Sequence, residues 1–192
     1  MIAAAGERQV VLAGNSQGGR TAIDFALAQP GRVRALVLVA SPVSGGAPPD
    51  WDRQLGRELV EAIEAVEESG DLDAVNRYEA RVWLDGPRAG EGRVSGPVRD
   101  LFLEMNGVAL RNGDQAAEVE PSPAVDRLAE LAMPVLVVTG ALDVAAVNAR
   151  CRAIALTVAD GRHVEIPDAA HLPALERPDR FVDVLVPFLD AI

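Results

Sequence analysis

The 192-residue chain contains no lysine: all 18 of its basic residues are arginine, set against 29 acidic residues for a net charge of −11. An acidic chain without a basic stripe is poorly matched to phosphate backbones and anionic headgroups, which argues against nucleic acid and membrane as partners. Cysteine occurs once, at Cys151. That excludes an intrachain disulfide and a cysteine-rich metal site, and agrees with a reducing compartment. Histidine occurs only at His163 and His171, so chemistry that needs an imidazole has two possible sources. No apolar run is long enough to span a bilayer, and the opening "MIAAAGERQ" lacks the charged n-region and apolar length of a signal peptide. These absences imply a cytoplasmic protein.

What is present is apolar material, 49% of residues, enough for one globular domain with a proper core. Three runs, "QVVLAG", "RALVLVA" and "PVLVVTG", are continuously apolar, the pattern of parallel strands buried on both faces. A fourth, "RHVEIP", alternates, with Val164 and Ile166 on one face and His163 and Glu165 on the other, and reads as a strand near a sheet edge. Between the first two runs, "SQGGRTAIDFALAQPG" has helical spacing through Ala22, Ile23, Ala26 and Leu27 and stops at Pro30-Gly31. "VAAVNARCRAIAL" and "RPDRFVDVLVPFLDAI" also read as helices; Pro178 suits a first turn, and Pro187 is expected to end or kink the last helix.

The stretch 42–132 has no strand pattern. It carries helical stripes at Leu55, Leu59, Ile63 and Val66, at Leu72, Val75, Val82 and Trp83, and at Val98, Leu101, Phe102 and Met105. Because a strand resumes at Pro134, it reads as a helical excursion between two strands of one sheet. The division is therefore 1–41 and 133–192 for the α/β core, with 42–132 inserted.

"GNSQGG" places Gly14, Ser16 and Gly18 in the pattern Gly-x-Ser-x-Gly between a strand and a helix, the setting of a nucleophile elbow. There the turn demands small residues two before and two after the serine, and the N–H of Gln17 faces a developing oxyanion. The alternative is a serine that caps a helix in a glycine-rich turn. A serine nucleophile needs a base and an acid that orients it. His163 lies within a strand and reads as a surface residue, whereas His171 lies in the loop after it. Asp143 follows the third strand, where it serves equally well as the acid or as a helix N-cap. Asp168 reads as turn chemistry beside Pro167. Cys151, mid-helix between two arginines, reads as structural.

The segments "LAGNSQGGRTAIDFALAQPGRVRALVLVAS", "MPVLVVTGALDV" and "AAHLPALERPDRFVDVLVPFL" resemble the α/β-hydrolase fold family, in particular its small bacterial esterases, lactonases and carbon–carbon bond hydrolases. The resemblance covers nearly the whole chain. It implies a mostly parallel sheet flanked by helices, with 42–132 as a helical cap. It implies Ser16 as nucleophile, Asp143 as acid and His171 as base, with Gln17 as an oxyanion donor and a small-molecule substrate. No metal and no cofactor enter such chemistry. Trp51, Trp83, Phe102 and Met105 become candidates for lining a pocket under the cap, with packing in the helical core as the alternative for each. Asn15, in "GNS" where "GHS" is commoner, is similar to the carbon–carbon bond hydrolases of aromatic degradation.

One departure is plain. Family members carry several strands and a second oxyanion loop, often His-Gly-x-Gly, before the elbow, while here Ser16 follows a few residues after the start. The expectation is a chain lacking the N-terminal part of the fold. It would carry an open apolar strand edge that invites a homodimer, and its activity would be impaired. Three functions follow: an ester or lactone hydrolase, a carbon–carbon bond hydrolase acting on a vinylogous diketone acid, or a non-catalytic ligand-binding relic.

Overall fold

The computed structural model describes residues 8–113 and 122–192. The opening residues 1–7, read above for a leader sequence, lie outside the described residues. Four strands, β1 (Val10–Asn15), β2 (Val33–Val39), β3 (Val135–Gly140) and β4 (Gly161–Ile166), form one sheet in the order β1-β2-β3-β4, parallel throughout. The in-register pairs Asn15↔Val39 and Gly140↔Ile166 set the carboxyl ends of the strands along one rim. Ligand sites of open parallel sheets gather on that rim.

Continuous apolarity is accounted for at β2 and β3, the central strands, where Ala35 to Leu38 and Val135 to Val138 are completely buried. β1 departs from that expectation. It reads as a strand buried on both faces but is half-exposed, because among the described residues it pairs with β2 alone. β4 lies at the other edge, as its alternation predicts.

Helix α1 (Gln17–Ala28) buries Gly19, Ala22, Ile23 and Ala26, a stripe of period 3.6 laid on β1 and β2. In the stretch between β2 and β3, α2 (Trp51–Leu55), α3 (Arg57–Ser69) and α4 (Leu72–Glu79) lead through a π-type turn (Ala80–Asp85) to α5 (Pro97–Asn112). Helix α6 (Ala145–Thr157) packs Val147, Cys151 and Ile154 against the β3 and β4 side. The short α7 (Pro173–Glu176) then leads into α8 (Pro178–Asp190). Pro187 does not end α8, contrary to that part of the expectation: the helix runs on to Asp190, and the proline sits exposed near the carboxyl end, where the carbonyl its ring leaves without a donor is open to solvent.

The stripe at Val98, Leu101, Phe102 and Met105 is only half correct. Phe102 is buried in a satellite cluster with Ala80, Leu84 and Val94, whereas Leu101 is 45% and Met105 65% exposed. Beside that cluster the buried Asp85 carboxylate accepts the N–H groups of Gly92 (2.8 Å) and Val94 (3.0 Å) and the Arg99 guanidinium (2.9 Å). Burial alone would raise the Asp85 pKa; the Val94 amide, the Arg99 guanidinium and the Gly92 amide outweigh it and hold the group below the usual carboxylate range.

Candidate active site

Ser16 follows the last residue of β1 and precedes α1, in a turn so sharp that its backbone takes φ 50° and ψ −122°. That is a region natural to glycine and costly to a residue with a Cβ, by about 1–3 kcal/mol. The turn is held by the Ser16 N–H on the Val39 carbonyl (2.8 Å) and by the Gly19 and Arg20 N–H groups on the Ser16 carbonyl. Ala40, just beyond β2, is the other non-glycine residue with positive φ among the described residues, and both line the same cavity. Strain is therefore concentrated at the carboxyl rim of the sheet.

The small-residue requirement is met differently from the motif reading. A Cβ on Gly14 would come 2.3 Å from the Gly18 carbonyl carbon, so the first glycine is required. A Cβ on Gly18 would meet nothing within 4 Å. Gly19 is the second tight position, since a Cβ there would fall 1.8 Å from the Ser41 hydroxyl.

Asp143 lies in the turn after β3 and His171 in the loop after β4. The Asp143 carboxylate is fully buried and divides its two oxygens: Oδ1 accepts the Val144 N–H (2.7 Å) and Oδ2 meets His171 Nδ1 (2.8 Å). It is not the cap of α6, whose flanking residue is Val144. The His171 N–H is donated to the Trp83 carbonyl (3.1 Å), and its ring lies 4.6 Å from that of Trp83. Asn15 joins the elbow to this loop. In the amide orientation that satisfies both neighbours it accepts from the Ser16 N–H (3.0 Å) and donates to the His171 carbonyl (3.3 Å).

A cavity of about 260 Å³ brings together Ser16, Gln17, Trp51, Trp83 and His171, with Ala40, Ser41 and Arg150 completing much of its wall. Trp51 and Trp83 meet edge to face at 6.1 Å and also line a second, largely apolar cavity of about 330 Å³ toward α3 and α4. Of the expected lining residues, Trp51 and Trp83 are present. Phe102 and Met105 are not: Phe102 is packed into the satellite cluster and Met105 is 65% exposed. His163 is not simply exposed, because its Nε2 lies 3.0 Å from the buried Thr139 hydroxyl. Asp168 contributes only its carbonyl, to Arg93 (3.0 Å).

Sequence reasoning did not find Arg150. The signal was available as helical spacing, since Val147 and Arg150 are three apart on α6 and both reach the cavity. Among the described residues no cluster of three or more histidine, cysteine or acidic side chains is disposed to hold a metal ion, and no helix is long and apolar enough to cross a membrane.

A parallel sheet whose rim gathers a strained serine turn, a buried carboxylate–imidazole pair and an aromatic wall defines the α/β-hydrolase class. The profile of the alpha/beta hydrolase family matches residues 1–184, and the chain belongs to that family. It is 28% identical over 182 residues to a pimeloyl-[acyl-carrier protein] methyl ester esterase of Nitrosospira multiformis, covering 93% of this chain and 67% of that protein. It is 30% identical to the protein of that description from Pectobacterium atrosepticum, covering 100% of this chain and 74% of the other. Among solved structures, a thermophilic esterase from Thermogutta terrifontis is similar, with a TM-score of 0.70 at 23% identity over 98% of this chain and 67% of that one. The chain thus spans about two thirds to three quarters of the length of these relatives.

Proposed function

We propose that the chain is a cofactor-independent serine hydrolase that cleaves a carboxylic ester, lactones included. In this reading Ser16 is the nucleophile, His171 the general base and Asp143 the orienting acid. The observation that carries it is the placement of the strained Ser16 in one cavity with His171, whose Nδ1 is taken up by the buried Asp143 at 2.8 Å.

The tautomer with Nδ1–H on Asp143 leaves Nε2 as the base. His171 takes the Ser16 proton as Oγ adds to the substrate carbonyl, and Asp143 stabilises the resulting imidazolium. The oxyanion is met by the Gln17 N–H at the amino end of α1. Collapse expels the alcohol, which receives the proton from His171. A water activated by the same ring then frees the acyl group and restores Ser16. The segment 42–132 acts as the cap, supplying Trp51 and Trp83 as the apolar wall that holds the substrate and excludes water. The methyl ester esterase relatives support an ester over other acyl compounds.

Arg150 favours a second reading within the same chemistry. Arg150 borders the cavity with its guanidinium donating to the Ala47 carbonyl (2.6 Å), and turned from that carbonyl it would hold a substrate carboxylate, as an acidic carbon–carbon bond hydrolase requires. Comparison of a neutral aryl ester with a ring-fission diketone acid separates the two.

Ser16→Ala is expected to reduce aryl ester hydrolysis to the uncatalysed background and to abolish labelling by a fluorophosphonate. Asp143→Asn is expected to lower kcat by about 10⁴ by supplying the wrong tautomer partner. Turnover unchanged in Ser16→Ala would overturn the reading, and a wild-type chain that neither labels nor turns over would favour a binding role.

A further inference from the structure

His171 is pinned by more than its carboxylate partner. The N–H groups of Ala170 and Leu172, on either side of it, both point to the Glu176 carboxylate. Ala170 donates to Oε1 (3.0 Å) and Oε2 (2.9 Å), and Leu172 donates to Oε1 (3.0 Å). With the His171 N–H on the Trp83 carbonyl, three consecutive amides of the loop are held.

The Glu176 side chain has no solvent exposure, and a carboxylate withdrawn from water needs a counter-charge as well as amide donors. Arg93 supplies it, 83 positions earlier in the chain and within the insertion. Its guanidinium donates to Glu176 Oε2 and also to the carbonyls of Leu84 (2.6 Å), Asp85 (2.6 Å) and Asp168 (3.0 Å). Four acceptors from three separate segments converge on one planar fork, which fixes its orientation in a way a lysine ammonium would not.

We propose that Arg93 and Glu176 are a positioning pair for His171. The glutamate clamps the amides flanking the histidine, and the arginine from the insertion holds the glutamate in place as a double acceptor. Neither side chain lines the cavity, so the pair acts through the histidine loop and not on the substrate. It makes the geometry of the base depend on the insertion: displacement of residue 93 is felt at the imidazole through the glutamate that clamps its flanking amides. As an effect on catalysis this rests on His171 being the base; as an effect on loop geometry it does not.

The test uses the full chain labelled with ¹⁵N-histidine. With only two imidazoles to observe, His163 serves as an internal control of folding. Glu176→Gln leaves one oxygen for amides that had two, and Arg93→Met removes the counter-charge. Both are expected to broaden or shift the His171 Nδ1–H resonance while leaving the His163 signals in place. With an aryl ester, kcat per fluorophosphonate-titrated site falls by about tenfold or more, as displaced catalytic groups do, while KM stays within about twofold. If Arg93→Met loses the His163 signals as well, Arg93→Lys keeps the charge without the fork and is expected to give the same His171 change in a folded protein.

His171 resonances matching wild type in folded Glu176→Gln and Arg93→Lys would overturn the proposal. If Ser16→Ala is inactive while Glu176→Gln keeps wild-type kcat, the catalytic role of the pair fails and the serine reading survives. If Ser16→Ala remains active, the serine reading fails and the resonances alone decide the positioning.

Discussion

At Gly19 a Cβ would collide with the Ser41 side chain and approach the Gly14 carbonyl at 3.1 Å, whereas at Gly18 the space is open. Two adjacent glycines of the elbow should therefore respond oppositely. Gly18→Ala, on the first turn of α1, is expected to keep fluorophosphonate labelling and shift stability by no more than about 1 kcal/mol, in the direction of helix propensity. Gly19→Ala must push α1 off the ends of β1 and β2 and is expected to lose labelling together with several degrees of Tm. Thermal melts with labelling of both variants check this. Cys151 illustrates a different legibility. Its sequence position suggested a structural role, and complete burial against β3, with its thiol 3.6 Å from the Ser41 carbonyl, pushes its pKa up to about 12. The thiolate is absent at neutral pH, so maleimide labelling is expected to track global unfolding in urea; rapid labelling of the folded chain would contradict the burial.

Among the elements, those with strong local patterns were legible. α1 begins at the elbow and ends before Pro30, and α6 shows its buried face in the spacing of Val147, Cys151 and Ile154. The π-type turn carrying Trp83 was not, because it continues the helical pattern of α4 and differs only in its hydrogen bonding. Pro187 misled for a similar reason, since the penalty for an interior proline depends on whether water reaches the freed carbonyl. β4 shows a further effect of placement. Burial first, and Arg152 nearby, depress the His163 pKa below its model-peptide value of 6.5, against a weaker opposing influence of Glu165. A depressed histidine binds its proton more readily in the unfolded chain. Its favourable effect is therefore intact above about pH 6.5 and lost as pH falls through the lower folded value. Tm is expected to fall over that window more steeply in the wild type than in His163→Gln, and parallel pH profiles would remove His163 as the cause.

For the whole molecule, β1 is the outer strand of the described sheet, with Val11 and Leu12 only half-buried. An apolar edge without a partner among the described residues is a template for another strand. We expect concentration-dependent dimerisation in sedimentation at moderate salt, where the net charge of −11 is screened. A charge on the edge through Ala13→Lys should abolish it. A monomer across the accessible concentration range would show that this edge is protected.

The amino-acid sequence by itself determined the strands, the elbow at Ser16 and the chain order Ser16, Asp143, His171, because each rests on neighbours within a few residues and on the parallel layout that apolar runs impose. It also limited the imidazoles to two and located the one beyond a strand end. Only the tertiary structure decided that Trp51 and Trp83, and not Phe102 and Met105, face the cavity, that Gly19 is the crowded glycine, and that Arg150 reaches the rim. It alone joined Arg93 to Glu176 around the histidine loop. These contacts link residues far apart in the chain. Their distances follow from the pairing of β2 with β3 across the long helical insertion, which no local spacing records.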